Sequence, residues 1–491
     1  MTCRCRWTTR CRHGNPWDRR SDTACKQAVP PAVPPTGEGI GFETGRNMTQ
    51  TRRPNILVLL TDQQSAEAMS CAGNPHLHTP AMDSLAAGGL RLDRAYCGNP
   101  ICVPSRASMF TGLMSHQTGA EYNQVKSLDA GTCLGRRLKD AGYDTGYIGK
   151  WHIPHKIDDR AWSGFDFLAE VSNHGIDGSA PAACEQFFRS RRDGPFFLVA
   201  SFVNPHDICQ FARMQSGMED KFHEGDIGAP PPVEQCPPAP ANLEPPADEP
   251  EVIRLHQQLP SQVRVYPTRE WGEDQWRRYR WAYYRLIEMV DRQIGKVLDA
   301  LRRSGLERDT VVLFTSDHGD GMGAHRWNQK TLFYEEISRV PMILRQPGTI
   351  PAGSVDTRAL VNTALDLATT CLGIAGAAVP EELKGQDLYA YGRGETDKTH
   401  PFVVAQNYLY ESPKTGRPMR GRMLRSDRFK YVVYDCGDKP EQLFDLDADA
   451  GETRNLAYRP EAAAILAGHR QVLEKWLKEN GDSFVLAPVA G

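Results

Sequence analysis

Cys102-Val103-Pro104-Ser105-Arg106 places a thiol, a hydroxyl and a guanidinium within five residues of one another. Pro104 is tolerated only in the first turn of a helix, where its missing N–H costs nothing, and Met109, Phe110 and Leu113 recur behind it at helical spacing. The pattern predicts a helix that starts at Cys102. The positive end of its dipole and its unpaired N–H groups would favour an oxyanion and an anionic substrate, with Arg106 adding a planar donor fork one turn further in. This is the setting of a nucleophile that meets an anion. The competing reading is a buried, inert thiol, the commoner fate of a cysteine.

Four other polar groups each close an apolar, strand-like run. Ile56 to Leu60 ends in Thr61-Asp62-Gln63, and Tyr143 to Gly149 ends in Lys150-Trp151-His152. Phe196 to Val203 ends in Asn204-Pro205-His206-Asp207, and Val311 to Phe314 in Thr315-Ser316-Asp317-His318. Ligands of open α/β sheets bind beyond the carboxyl ends of the strands, so four strands delivering carboxylates, imidazoles and an ammonium to that edge point to one convergent site. Asp62 and Asp317 are the oxygen donors a hard divalent cation needs. Taken singly, Asp317-His318-Gly319-Asp320-Gly321 is also good loop chemistry, and His206 could simply cap a strand end.

The elements that must position these residues are legible as an alternation. From residue 54 to about 385, strand-like runs alternate with amphipathic stretches, the pattern of an α/β domain with a large, mostly parallel sheet sandwiched by helices. Thr79-Pro80 reads as an N-cap and first helical residue, Met82, Leu85 and Ala86 as the apolar face, and Gly88-Gly89 as the stop. A long helix is expected over Gly272 to Arg303, with Tyr283, Ile287, Val290, Ile294 and Leu298 as its stripe and Arg277, Arg278 and Arg280 on a solvated face. Residues 228–260 are proline-rich and read as a surface insertion, either a pocket wall or a loop without function. From about 400 to 485 the pattern is that of a smaller α+β subdomain: a strand pair within Gly421 to Tyr434, a strand at Glu441 to Leu446, and a helix from about Glu461 to Glu479.

The 491-residue chain carries a formal net charge of −3, which gives no reason to expect nucleic acid or an anionic membrane as partner. Its longest apolar runs fall well short of the roughly 20 residues that span a bilayer. The 13 cysteines show neither a disulfide framework nor zinc spacing. Residues 1–50 are expected to be a disordered extension, Arg-rich and Pro-rich at first and without the apolar stretch of a secretory signal. Met48 is an alternative start, and a cytoplasmic location is the expectation.

The segment Cys102 to Arg106, with Thr111-Gly112 behind it, resembles the signature of type I, formylglycine-dependent sulfatases of the alkaline-phosphatase-like superfamily. Gly142 to His152 resembles the second sulfatase signature, and Asp449 through Leu456 resembles the family's C-terminal Asp-x-x-Glu-x-x-Asn-Leu pattern. The resemblance runs from residue 54 to about 460. It implies that a formylglycine-generating enzyme oxidises Cys102 and that the hydrated aldehyde attacks a small-molecule or carbohydrate sulfate ester. It also implies one divalent ion, Ca2+ foremost with Mn2+ or Mg2+ as alternatives, held by Asp62, Gln63, residue 102, Asp317 and His318.

By the same resemblance Lys150 and Lys330 bind sulfate alongside Arg106, His206 protonates the leaving alcohol, and His152 helps to expel sulfate from a sulfated hemiacetal. Gln63 and His318 depart from the commoner Asp and Asn; the change removes one negative charge and adds a nitrogen donor, a shift toward manganese. The Asp-His pair is shared with phosphonate monoester and phosphodiester hydrolases of the superfamily, which gives one alternative activity. A catalytically silent binder of sulfated ligands is the other.

Overall fold

The computed structural model describes residues 53–172, 177–411, 416 and 418–486. The extension expected over residues 1–50 lies outside them. The described residues form one compact unit.

Its centre is an eight-stranded sheet in the order β4-β3-β5-β1-β6-β7-β2-β8. The strands are β1 (Asn55–Asp62), β2 (Leu90–Tyr96), β3 (Asp144–Lys150), β4 (Phe167–Ser172), β5 (Phe196–Pro205), β6 (Thr310–Ser316), β7 (Met342–Arg345) and β8 (Ser354–Asn362). All neighbours pair in parallel except β7, which is antiparallel to both β6 and β2. The four runs singled out in the sequence are β1, β3, β5 and β6, four adjacent parallel strands. Their polar ends therefore emerge side by side at one edge.

Both faces of this sheet are covered, so its strands are apolar throughout rather than alternating. Ile56, Val58 and Leu60 pack into the core layer that holds the Cys102–Thr111 helix, while Leu57 and Leu59 pack beneath the helix Glu273–Arg303. Tyr283, Ile287, Val290, Ile294 and Leu298 of that long helix are buried as a stripe. The helix Pro80–Ala87 has the expected limits, but Thr79 does not cap it with its side chain. Its hydroxyl bonds Asp83 and Ser70, and the first N–H groups of the helix, those of Ala81 and Met82, donate to Asp291 of the long helix at 3.1 and 2.9 Å. A partner distant in sequence does the capping, which local patterning does not reveal.

A four-stranded antiparallel sheet, order β12-β11-β10-β9, forms the C-terminal part: β9 (Val403–Glu411), β10 (Pro418–Arg425), β11 (Phe429–Tyr434) and β12 (Glu441–Asp445). The helix Ala463–Asn480 covers one face through Leu466, Leu473 and Leu477. The other face shares a core with Trp327, Phe333 and Tyr334, so this subdomain is fused to the part built on the large sheet rather than separate from it. The proline-rich stretch also differs from expectation: Asn242, Val252, Ile253 and His256 are buried, and the helix Glu251–Gln258 enters the shared core. No helix among the described residues is long and apolar enough to cross a membrane.

Candidate active site

The Cys102–Thr111 helix begins beyond the sheet edge with Cys102 as its first residue. The Cys102 side chain is fully buried, with Lys330 Nζ 3.0 Å, His318 Nε2 3.2 Å and Asp62 Oδ1 3.8 Å from its sulfur. Burial opposes a thiolate here, but Lys330, Lys150 and His318, with a hydrogen bond from His152, outweigh it and hold the thiol well below its ordinary range. The helix N–H groups contribute less than the sequence suggested. Val103 N–H is taken by Asn123 Oδ1 at 3.0 Å and Pro104 has none, so the side-chain cations carry the positive field.

β1 delivers Asp62 and Gln63, and β6 delivers Asp317 and His318. Gln63 takes a left-handed backbone (φ 70°), a strained conformation for a non-glycine residue. It is held there by hydrogen bonds from its N–H to Asp317 Oδ1 at 3.1 Å and from Tyr283 OH to its carbonyl at 2.6 Å. Burial raises the Asp62 carboxyl, as does Cys102, but Lys150, His206 and Arg106 more than reverse this and keep it ionised. Asp317 is pushed up by burial and by Asp62.

Arg106 departs from its expected place against substrate. Its guanidinium is fully buried and its donors are committed: Nε to Asp317 at 2.7 Å, one terminal nitrogen to Asp62 at 3.3 Å, and the other to Lys150 O and Ser201 Oγ, both at 2.9 Å. It therefore positions the two carboxylates instead of presenting a free fork to an anion. Arg is suited to this because its planar donors reach several acceptors at once.

β3 delivers Lys150, whose ammonium is 2.5 Å from Asp62 Oδ2. Gly149 makes this possible: at φ 96° it packs against the Ser201 carbonyl with no room for a Cβ. His152, also left-handed (φ 53°), reaches the Cys102 sulfur. β5 runs into His206, half-buried beside Cys102, Asp62 and both lysines; burial first, then Lys330 and Lys150, lower its pKa to about 3. Lys330 arrives on a loop between Gln329 (φ 65°) and Thr331 (φ 82°), the latter a β-branched residue where such a backbone is a true outlier. Its Nζ also donates to Gln63 Oε1 at 3.2 Å. All ten residues singled out from the sequence are thus brought to one place.

Asp62, Cys102, Asp317 and His318 offer ligand atoms within 4.8 Å of one another, all buried. His318 Nδ1 lies 2.9 Å from Gly319 O, and a carbonyl can only accept, so Nδ1 carries a proton; Asp317 and Cys102 favour the charged ring against burial, and on loss of its second proton Nε2 turns a lone pair to the cluster. Two buried carboxylates, one of them reluctant to ionise, and a correctly tautomerised imidazole fit a divalent cation.

Sequence reasoning missed the residue that braces this set. Asp320 is buried and accepts from Gln63 Nε2 at 2.8 Å, Tyr279 OH at 2.9 Å and Gln329 N at 3.1 Å, tying both strained segments together. Burial raises it to about 6 against these bonds. The signal was the second acid of Asp317-His318-Gly319-Asp320, which also suits a turn.

Known proteins resemble the chain over most of its length. Residues 54–377 match the family described as Sulfatase, and residues 323–479 match N-sulphoglucosamine sulphohydrolase, C-terminal. The Delta 4,5-hexuronate-2-O-sulfatase of Bacteroides thetaiotaomicron is 30% identical over 461 residues, covering 88% of this chain and 90% of its own. A solved 2-O GAG sulfatase superposes with a TM-score of 0.77 at 28% identity, over 89% of this chain and 95% of that one. The phosphonate monoester hydrolase of Agrobacterium radiobacter shares the fold, with a TM-score of 0.67 at 21% identity over 87% of this chain and 96% of that one. Because the first of these matches spans every strand that feeds the site, the chain belongs to the sulfatase family, enzymes that hydrolyse sulfate esters.

Proposed function

We propose that Cys102 is oxidised to formylglycine by a formylglycine-generating enzyme and that the matured chain hydrolyses the sulfate ester of a carbohydrate. The crowding of Lys330, His318 and Asp62 around one buried sulfur at a helix start carries this reading. The hydrated aldehyde supplies a hydroxyl nucleophile at position 102. A divalent cation held by Asp62, Asp317 and His318, with the Gln63 amide oxygen and residue 102, would acidify that hydroxyl and polarise a sulfate oxygen. Ca2+ is the leading assignment for a carboxylate-rich site, and the His318 nitrogen keeps Mn2+ in contention with it.

The chain's own groups then divide the work. Lys150 and Lys330 balance the charge of the sulfate, while Arg106 holds Asp62 and Asp317 in place. As the hydroxyl at position 102, its proton lost to water, bonds to sulfur and the ester S–O bond breaks, His206 gives the departing oxygen its proton. In the free protein burial and the lysines keep that ring neutral; the negative charge of a bound sulfate works in the opposite direction and favours the protonated form. His152 accepts the proton of the second hydroxyl at position 102, which re-forms the aldehyde and releases sulfate; water rehydrates it.

A carbohydrate is favoured by what stands beside the nucleophile. Asn123, which holds Val103 N–H, is flanked by Tyr122, stacked on Tyr408 at 4.8 Å, and by Gln124, bonded to Tyr410 OH at 2.7 Å. Paired aromatic faces with polar neighbours suit a sugar ring. The similarity to a hexuronate 2-O-sulfatase supports the same class.

The test is the mass of the tryptic peptide Ala95 to Arg106 after co-expression with the maturation enzyme, followed by a screen of sulfated sugars. An aldehyde at residue 102 is expected; an unmodified thiol would contradict the mechanism. His318 favours a second reading, a phosphonate monoester, and a strong rate preference for an aryl phosphonate over the matched aryl sulfate would establish it.

A further inference from the structure

A second group of ligating side chains lies outside the active site, where the loop after β6 meets the segment after β12. A ring nitrogen of His325 and carboxylate oxygens of Glu336 and Glu452 come within 4.8 Å of one another. His325 and Glu452 are 0% and 1% exposed. His325 Nδ1 and Glu336 Oε2 are buried with no hydrogen-bond partner, and Glu452 Oε1 has only the Lys430 ammonium, 2.6 Å away. Buried polar atoms are nearly always satisfied, so unsatisfied atoms of three ligand-type side chains in one place call for an explanation.

The rest of the cluster is already paired. Glu336 Oε1 accepts from Asn242 Nδ2 at 2.9 Å and Glu452 Oε2 accepts from Glu335 N at 2.6 Å; Asn242 Nδ2 gives its other hydrogen to Gly451 O at 2.9 Å and has none for His325 Nε2, so that ring nitrogen can donate to the Glu244 backbone and leave the lone pair on Nδ1. The His325 ring stacks on Tyr334 at 3.8 Å, which fixes its plane. Lys430 is shared with Glu335 at 3.0 Å, so the one close ammonium does not neutralise the two glutamates. A cavity of about 520 Å³, lined by Asn242, Glu336, Asp449 and Gly451 among others, leads from solvent to Glu336.

We propose that His325, Glu336 and Glu452 form a second metal site, for a divalent transition cation of the Mn2+ or Zn2+ class. One imidazole nitrogen with two carboxylates is the donor set such ions prefer, and three protein ligands leave room for water from the cavity. Burial raises both carboxyls, Glu336 to about 7 and Glu452 to about 8, a load that a bound cation relieves. The ion would join the loop carrying Lys330 to the C-terminal sheet. Because the Glu336 carbonyl accepts from Asp320 N at 3.1 Å, that clamp abuts the brace of the active site.

The test counts metal in the whole protein, stripped with chelator and titrated with Mn2+ or Zn2+ alone, so it does not depend on the sulfatase reading. Two equivalents are expected in the wild type. Glu336→Gln with Glu452→Gln should keep only the equivalent at Asp62 and Asp317, and Asp317→Asn should keep only the second. Anomalous scattering from wild-type crystals soaked in Mn2+ should place a peak between His325, Glu336 and Glu452, which needs no variant to fold. A single equivalent that Asp317→Asn abolishes, or no anomalous peak at this position, would overturn the proposal.

Discussion

At the scale of the residue, the site depends on charges that hold one another. Lys330 contacts the nucleophilic position directly, and its removal takes away one preorganised donor. Lys330→Ala should lower kcat/KM by about a hundredfold or more; near wild-type turnover would make the residue structural. Asp320 contacts neither substrate nor nucleophile but fixes Gln63 and the strained Gln329 beside Lys330. Asp320→Asn is expected to lose about 10- to 100-fold in metal affinity or activity with its circular dichroism unchanged. Unaltered metal affinity and activity would remove it from the account. Most of these side chains were readable because each ends an apolar run. Arg106 was misplaced because its type fits an anion equally well; only the structure shows its donors spent on Asp62 and Asp317.

At the scale of the element, Gly149 shows how a strand end is aimed. Gly149→Ala would force a side chain into the left-handed region and against the Ser201 carbonyl, displacing Lys150 from Asp62. A loss of more than about 3 kcal/mol of stability is expected, measured by denaturant unfolding.

The junction with the C-terminal sheet has its own check. His400 Nε2 is 2.8 Å from Asp366 of the helix Thr363–Ala375. Burial opposes its charge, but Asp366 outweighs this and raises its pKa above the ordinary 6.5. The pair's contribution is therefore complete below the unfolded value and fades as pH rises through the raised folded one. His400→Gln should cost about 1–2 kcal/mol near pH 5.5 and clearly less above about pH 8; an equal cost at both would contradict the charge assignment. The central strands and long helix were legible from periodicity, whereas the cap supplied by Asp291 was not, since its partners lie 209 and 210 residues away.

At the scale of the molecule, one parallel sheet gathers carboxylates, lysines and imidazoles at a single edge, and the C-terminal sheet closes against the loop that carries Lys330. That closure was the least legible feature. The composition of residues 228–260 suggested a surface loop, yet Val252 and Ile253 join Trp327 and Tyr434 in a shared core, and the buried His256 ring stacks beside Trp327. Proline content reports local backbone, not whether a segment is later covered. The account's central claim is that residue 102 attacks a sulfate ester, and it is tested most directly by inorganic sulfate release from a sulfated sugar, comparing matured wild type with Cys102→Ala. Release by the wild type and its loss by a factor of about a thousand or more in the variant is the predicted result; equal release by both would show that the chemistry is done elsewhere.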